Sequence, residues 1–116
     1  MAPRTNNIFA GLPESLGQEQ FLTLFENEAV KIERIVSHSS GSPAGLWYDQ
    51  PRDEWVIVLS GHATLEFESG ELFEMRKGDY VTIPSHVKHR VPETDAETIW
   101  LAVHIKDPLT GRAKRS

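Results

Sequence analysis

The chain has 116 residues, enough for one compact domain and too few for two of ordinary size. It contains no cysteine, which excludes disulfide bonds and thiolate metal ligands. Its net charge of −5, from 12 Lys and Arg against 17 Asp and Glu, argues against a nucleic-acid partner, because phosphates favour a basic surface.

The N-terminal segment, residues 1–28, is predicted to be an arm that carries one short helix. Residues 1–7 lack the apolar core of a secretory signal, and no apolar run approaches the ~20 residues of a membrane helix. We therefore expect a cytoplasmic protein with no membrane partner. Ser15 and Gln18 have the spacing of a capping box, which predicts a helix over about residues 16–27. Apolar residues follow at helical spacing: Phe21, Leu22, Leu24 and Phe25.

Residues 29–108 are predicted to form a β-barrel. Short apolar or alternating segments bounded by turn residues are typical of strands. They predict strands at about 30–36, 46–50, 55–59, 63–67, 72–75, 80–83, 87–91 and 98–105. About eight short strands joined by turns favour an all-β sandwich or barrel. The basic residues 109–116 have no apolar anchor and are expected to be a disordered tail.

The segment from residue 78 to residue 91 carries the most specific chemical signal. It has the pattern of a turn, a short strand, a bend at Pro84 and a second strand, with His86 and His89 at or just after the bend. Histidine is the commonest protein metal ligand and titrates near neutral pH. Because cysteine is absent, any metal ion in this chain must be held by nitrogen and oxygen atoms.

This segment resembles the second sequence motif of the cupin family. That motif is a glycine, five residues, a proline, one residue, a second glycine, two residues and a ligand histidine. Gly78, Pro84 and His89 match it at the required spacing, whereas His86 replaces the second glycine and Glu93 the asparagine that often follows. The chain is similar to small single-domain cupins of the RmlC-like type over about residues 30–106.

The first cupin motif is only half present. It consists of a glycine, His-x-His, three or four residues, a glutamate, six residues and a glycine. Glu54 and Gly61 match its second half, but the histidine pair is missing. Two spacings are open, and they place either Tyr48 and Gln50 or Trp47 and Asp49 where the histidines would stand.

The resemblance implies a jelly-roll barrel, also called a double-stranded β-helix, that binds a small molecule and forms a homodimer. His89 has the family's ligand position, and alternation along the strands directs Tyr48, Gln50, Glu54 and His104 to the same interior. We therefore predict Glu54, His89, His104 and Gln50 as ligands of a divalent metal such as Fe, Mn, Ni or Zn. Tyr48 is the predicted catalytic acid or hydrogen-bond donor.

Three functions remain open. The first is a metal-dependent enzyme acting on a small polar metabolite. The second is a metal-free sensing or binding module for a sugar or metabolite, and the third is a metal-free isomerase that uses a histidine and a tyrosine as base and acid. Structural roles also remain open, because Glu54 could pair with Arg34 and His104 could bond to Tyr48 or to a backbone carbonyl. His86 is expected to be a turn or rim residue.

Overall fold

A computed structural model describes residues 2–14, 19–38, 46–94 and 97–106. These ranges contain eight strands. The strands are β1 (Gln20–Glu26), β2 (Val30–His38), β3 (Glu54–Ser60), β4 (His62–Phe67), β5 (Leu72–Arg76), β6 (Tyr80–Ile83), β7 (His89–Thr94) and β8 (Glu97–Ile105). Within the described ranges there is no helix that could span a membrane. The predicted basic tail, residues 109–116, lies outside them.

The strands form two antiparallel sheets. One has the order β1-β2-β8-β3-β6 and the other the order β5-β4-β7. Strands from both sheets contribute to one buried core, whose members are Val56, Val58, Ala63, Leu65, Phe67, Met75, Ile83, Val91, Trp100 and Ala102. The predicted all-β fold class is therefore confirmed.

The predicted N-terminal helix is wrong. Residues 20–26 form β1, which pairs antiparallel with β2 from Gln20 opposite Val36 to Glu26 opposite Lys31. The expected cap residues 15–18 lie outside the described residues. A Phe-Leu-x-Leu-Phe pattern fits one face of a helix and also a strand that is apolar on both faces, so periodicity alone cannot separate the two. The segment forms a strand because its backbone pairs with β2 along its length.

The predicted strand at 46–50 is reduced to a single bridge between Tyr48 and His89. The Tyr48 N–H donates to the His89 carbonyl oxygen over 2.8 Å, and the His89 N–H donates back over 3.1 Å. The His86 N–H donates to the Gln50 carbonyl oxygen over 2.6 Å. These bonds hold the segment that replaces the missing histidine pair alongside the start of β7.

The N-terminal arm lies against one face of β2. Buried Arg34 donates hydrogen bonds to the carbonyl oxygens of Ile8 over 3.1 Å and of Ala10 over 2.7 Å. It also donates to the side-chain oxygen of Gln20 over 3.2 Å. Glu54, the alternative partner considered for Arg34, accepts a hydrogen bond from Gln50 instead. The arm therefore covers the side of β2 that carries Arg34, and the opposite side faces the second sheet.

Candidate functional site

A cavity of about 190 Å³ lies between the two sheets. Its apolar lining comes from Phe21, Ile35, Val56, Leu65, Ile83, Val91 and Trp100. Its polar lining comes from Glu19, Lys31, Glu33, Tyr48, Gln50, Arg52, Glu54, His89 and His104. An apolar wall with a few convergent polar groups is the usual composition of a small-molecule site.

The strand register explains why the polar groups gather at one end of the large sheet. Lys31 on β2 lies opposite His104 on β8, and His104 lies opposite Glu54 on β3. Directly opposed residues in antiparallel strands place their side chains on the same face. Two residues further along the same face, Ala102 and Val56 are opposed and the lining becomes apolar.

All five predicted site residues line this cavity: Tyr48, Gln50, Glu54, His89 and His104. Three of them are buried, with exposed fractions of 5% for Glu54, 6% for His89 and 6% for His104. Of the two residue pairs that the first motif leaves open, Tyr48 and Gln50 line the cavity. The alternative pair points elsewhere, because Asp49 bonds to His86 and Trp47 lies under the Arg90 guanidinium. The catalytic and metal-binding roles assigned to the five residues remain predictions.

Glu54 and His89 form the first Glu–His pair of the cavity, with 3.6 Å between Oε1 and Nε2. The His89 Nδ1–H can donate to the Val87 carbonyl oxygen over 2.9 Å, which leaves Nε2 facing Glu54. The Gln50 amide donates to the same Glu54 oxygen over 2.9 Å. Burial, the largest effect, lowers the pKa of His89. The close contact with Glu54, the Val87 carbonyl and the charges of Glu54 and Asp49 together outweigh burial and raise that pKa.

Glu33 and His104 form the second pair, with 2.9 Å between Oε1 and Nε2. The hydrogen bond to His104 is the main reason that the pKa of Glu33 is lowered, and the charges of His104 and Lys31 add to it against the effect of burial. Lys31 Nζ lies 3.7 Å from the other Glu33 oxygen. The partner of His104 is therefore a carboxylate, and not Tyr48 or a backbone carbonyl.

Glu19 holds the Tyr48 hydroxyl in place. Tyr48 Oη donates to Glu19 Oε1 over 2.7 Å, and Ser37 Oγ donates to Glu19 Oε2 over 2.9 Å. The Tyr48 ring lies beside the His89 ring, with 5.8 Å between their centroids. The phenol and its carboxylate acceptor thus lie next to the Glu54–His89 pair.

Four of the polar residues that line the cavity are not predicted from the sequence: Glu19, Lys31, Glu33 and Arg52. The apolar alternation of β2 predicts that its apolar residues face inward, but β2 faces the cavity with Lys31, Glu33 and Ile35. The other apolar positions of β2 lie on the side covered by the N-terminal arm, to which Arg34 bonds. The two-residue spacing of Lys31 and Glu33 is the feature of the sequence from which their shared face could have been predicted.

The backbone explains the histidine that replaces the second motif glycine. His86 has a φ of +64°, in the left-handed region in which glycine is favoured and which histidine adopts more readily than most residues. Its side chain is 69% exposed, and its Nδ1 lies 2.9 Å from Asp49 Oδ1. His86 is therefore a turn residue at the surface.

The cupin-domain family profile matches residues 34–104. The chain belongs to the cupin family. No curated protein is significantly similar to it in sequence.

Solved structures are similar to this cupin over most of its length. A protein from Ralstonia eutropha JMP134, provisionally described as a mannose-6-phosphate isomerase, is 46% identical and superimposes with a TM-score of 0.83. That match covers 89% of this chain and 98% of the other. An RmlC-like cupin from Desulfovibrio desulfuricans is 12% identical over 89% of this chain and 97% of its own, with a TM-score of 0.72. A Streptococcus pyogenes protein of unknown function is 19% identical over 91% and 90%, with a TM-score of 0.73. The last two share the fold.

The polar groups of this cupin are bonded mainly to one another. In the part of the chain that the structure describes, no group of three or more His, Asp or Glu side chains is arranged to hold a metal ion. The Nε2 of His104 is engaged by Glu33, and Glu54 accepts from Gln50. The four predicted ligands share a cavity, but Gln50 and His89 both contact Glu54, whereas the Nε2 of His104 contacts Glu33.

Proposed function

We propose that this cupin binds a small hydroxylated metabolite in the cavity and catalyses an isomerase-type proton transfer on it. The single observation that carries the proposal is the presence of two Glu–His pairs in one cavity, with their histidines on different sheets. His89 lies on the three-stranded sheet and His104 on the five-stranded sheet. A ligand between the sheets would meet an imidazole from each side.

The chemistry of the first pair suits proton transfer near neutral pH. Glu54 favours the protonated form of His89, whereas the Val87 carbonyl holds the opposite ring nitrogen and fixes the orientation of the ring. His89 would accept or return a proton at Nε2, and Glu54 would stabilise the resulting imidazolium.

The second pair offers a base or acid on the other wall. With the Nε2 of His104 bonded to Glu33, the remaining ring nitrogen, Nδ1, has no bond to any group in the described residues. If Nε2–H donates to Glu33, Nδ1 keeps its lone pair and can accept a proton. Nδ1 is shielded from solvent in this structure, so His89 is the histidine that a ligand would meet first, and His104 would act once the ligand had displaced the side chains around it.

Tyr48 is placed to assist as a hydrogen-bond acceptor, and as a donor or acid once its hydroxyl proton turns from Glu19 to the ligand. Its hydroxyl proton is directed at Glu19, which orients the phenol. The cavity also offers carboxylate oxygens as acceptors for ligand hydroxyls. The Ralstonia eutropha relative is provisionally described as a mannose-6-phosphate isomerase, and the isomerisation that this description names is the class of reaction proposed here.

Deuterium exchange tests the proposal whatever the product is. A panel of hexoses, pentoses and their phosphates is incubated with the protein in D₂O and followed by proton NMR. Isomerisation through proton abstraction exchanges a carbon-bound proton for deuterium, and His89→Gln is expected to abolish that exchange. His62→Gln, a change outside the cavity at the start of β4, is the matched control and should exchange at the wild-type rate. Ligand binding without exchange or turnover across the panel would contradict the proposal and favour the metal-free binding or sensing module.

A metal-dependent enzyme is the second candidate, and the hydrogen bond of His89 favours it. Metal-ligating histidines usually donate their second ring nitrogen to a carbonyl or carboxylate, as His89 can to Val87. Glu54 and His89 would hold the metal together with the Gln50 oxygen, and His104 would have to leave Glu33 to join them. Elemental analysis after reconstitution with Fe, Mn, Ni and Zn tests this. A content below about one tenth of an equivalent would remove the candidate.

We also propose that a second copy of this chain covers β1, which would make the protein a homodimer. Four apolar side chains on this edge strand are about half exposed: Phe21 at 51%, Leu22 at 44%, Leu24 at 43% and Phe25 at 53%. β1 is the edge strand of the five-stranded sheet, so a second β1 strand that approaches it antiparallel, around a two-fold axis near the middle of the strand, would cover both these side chains and the unpaired edge. The register shift between Thr23 and Phe25 interrupts regular pairing there, so apolar contact would be the main attraction.

The oligomeric state of a charged variant tests the homodimer. Leu24→Lys is expected to convert a dimer to a monomer in light scattering coupled to gel filtration, because it places two lysines near the proposed axis. Leu72→Lys is the matched control, since Leu72 is 61% exposed on the edge strand β5 of the other sheet. A wild-type protein that is monomeric at micromolar concentration, or a Leu24→Lys protein that stays dimeric, would refute the interface.

A further inference from the structure

Two cationic side chains, Lys31 and Arg52, line the cavity beside its carboxylates. Lys31 is the second residue of β2, and Arg52 lies two residues before β3 begins. Both therefore lie at the end of the large sheet that carries the row Lys31, His104 and Glu54. Both are only partly buried, so they lie where the cavity meets solvent.

The charged groups of these two side chains are available to a ligand. Among the described residues, no hydrogen bond or ion pair joins the Arg52 guanidinium to another group. Lys31 Nζ lies 3.7 Å from Glu33 Oε2. The hydrogen bond from Lys106 is the main reason that the pKa of exposed Glu26 is lowered, and the charges of Lys31 and Arg52 both help to lower it. A guanidinium presents five N–H donors in a planar fork, which suits bidentate binding of a phosphate or carboxylate.

The short hydrogen bonds of the cavity carboxylates are made with neutral or histidine groups, and Glu33 has in addition the 3.7 Å contact with Lys31. Glu19 accepts from Tyr48 and Ser37, and Glu54 accepts from Gln50. Glu33 is bonded to His104. These carboxylate oxygens lie within the cavity and can accept hydrogen bonds from the hydroxyl groups of a ligand. Lys31 and Arg52, in contrast, lie at the opening of the cavity. The arrangement matches a ligand with a hydroxylated body and an anionic group at one end.

Two carboxylates near the mouth have partners other than Arg52. Glu26 lies opposite Lys31 in the β1–β2 ladder, and its Oε2 accepts a hydrogen bond from Lys106 over 2.9 Å. Asp53 accepts from the Ser85 N–H over 2.9 Å. Neither carboxylate forms a direct ion pair with Arg52, so the guanidinium keeps its donors for a group that enters from solvent.

We infer that Lys31 and Arg52 form an anion subsite that holds a phosphate or carboxylate group of the ligand at the cavity mouth. This inference rests on the proposed function and narrows its substrate class to anionic sugars, either sugar phosphates or sugar acids. The anionic group stays at the rim, and the hydroxylated carbons extend between the two Glu–His pairs.

Calorimetric titration at low salt tests the subsite with four probes: mannose, mannose 6-phosphate, gluconate and inorganic phosphate. The wild-type protein is expected to bind an anionic sugar at least about 10-fold more tightly than mannose, as charge-assisted hydrogen bonds allow. A preference for mannose 6-phosphate identifies a phosphate, and a preference for gluconate identifies a carboxylate. Arg52→Gln should remove the preference for the anionic sugar.

Lys77→Gln is the matched control, because it removes one positive charge from an exposed turn outside the cavity. Thermal melts establish that each variant is folded. Equal affinity for neutral and anionic sugars, or an Arg52→Gln protein that keeps the preference, would overturn the subsite while leaving the proposed function intact. Binding of inorganic phosphate that Arg52→Gln abolishes would support the subsite even if no sugar exchanges deuterium. If none of the four probes binds, the subsite is refuted.

Discussion

Gly61, the last residue of the first cupin motif, is predicted to be intolerant of a side chain for two separable reasons. Its φ is +88°, and a Cβ added there would clash with the Glu97 carbonyl oxygen and lie 2.8 Å from both Cα and Oγ1 of Thr98. A left-handed backbone costs an alanine about 1–2 kcal/mol. The close approach adds about 1–3 kcal/mol, the usual range for overpacking.

Gly70→Ala is the control that separates the two costs. Gly70 has a φ of +102°, but nothing lies within 4 Å of its added Cβ, so only the backbone cost applies. We expect Gly61→Ala to lower the free energy of unfolding by about 2–5 kcal/mol and Gly70→Ala by about 1–2 kcal/mol. An unfolding entropy near 2.1 cal/mol/K per residue makes 1 kcal/mol worth roughly 4 °C of melting temperature in a chain of this size.

Urea unfolding of both variants, followed by circular dichroism, measures the difference. The turn is bonded to β8, because the His62 N–H donates to Thr98 Oγ1 over 3.2 Å and that hydroxyl donates to the His62 carbonyl over 2.9 Å. The turn therefore has little freedom to move away from an added methyl group. Equal destabilisation by the two substitutions would refute the close packing of the β3–β4 turn against β8.

Three further predictions concern the two Glu–His pairs and the His86 turn. Glu54→Gln removes the charge that helps to offset burial, so the pKa of His89 should fall, and an NMR titration in which it stays raised would contradict the pairing. The raised pKa of His89 contributes stability below the unfolded value of 6.5, and this contribution is lost as pH rises through the folded pKa. The lowered pKa of Glu33 contributes stability above its unfolded value of 4.5, and this contribution is lost as pH falls through the folded pKa. Urea midpoints that show neither trend would count against both assignments. His86→Gly relieves about 1–2 kcal/mol of backbone cost and loses an exposed pair with Asp49, so the free energy of unfolding should stay equal or rise, and a loss above about 1 kcal/mol would argue otherwise.

The sequence predicts strands well where alternation or turn residues are clear. β4 and β6 lie almost where the pattern puts them, because alternating or apolar runs end at glycine or proline. The error at β1 arises because a Phe-Leu-x-Leu-Phe pattern satisfies two periodicities at once. At residues 46–50 the pattern predicts a strand, but in the structure only Tyr48 forms a bridge there, to His89.

The site is predictable only where a motif supplies an anchor. His89 and Glu54 come from motif positions, and alternation along β8 adds His104. Glu33 escapes prediction, because its inward direction depends on how the N-terminal arm covers the other face of β2. Glu19 escapes it for a different reason, since it lies within residues 16–27, the segment that is expected to be helical. The alternation of Lys31 and Glu33 indicates that they share a face of the strand, but it does not indicate which face is inward.

A crystal structure with the tightest-binding sugar of the titration tests the central claim most directly. We expect electron density for the ligand between the sheets, with oxygen atoms within hydrogen-bond distance of His89 Nε2 and the Tyr48 hydroxyl. Ligand density confined to the outer surface, with the space between Glu54, His89 and His104 closed by side chains, would contradict a binding site in the cavity.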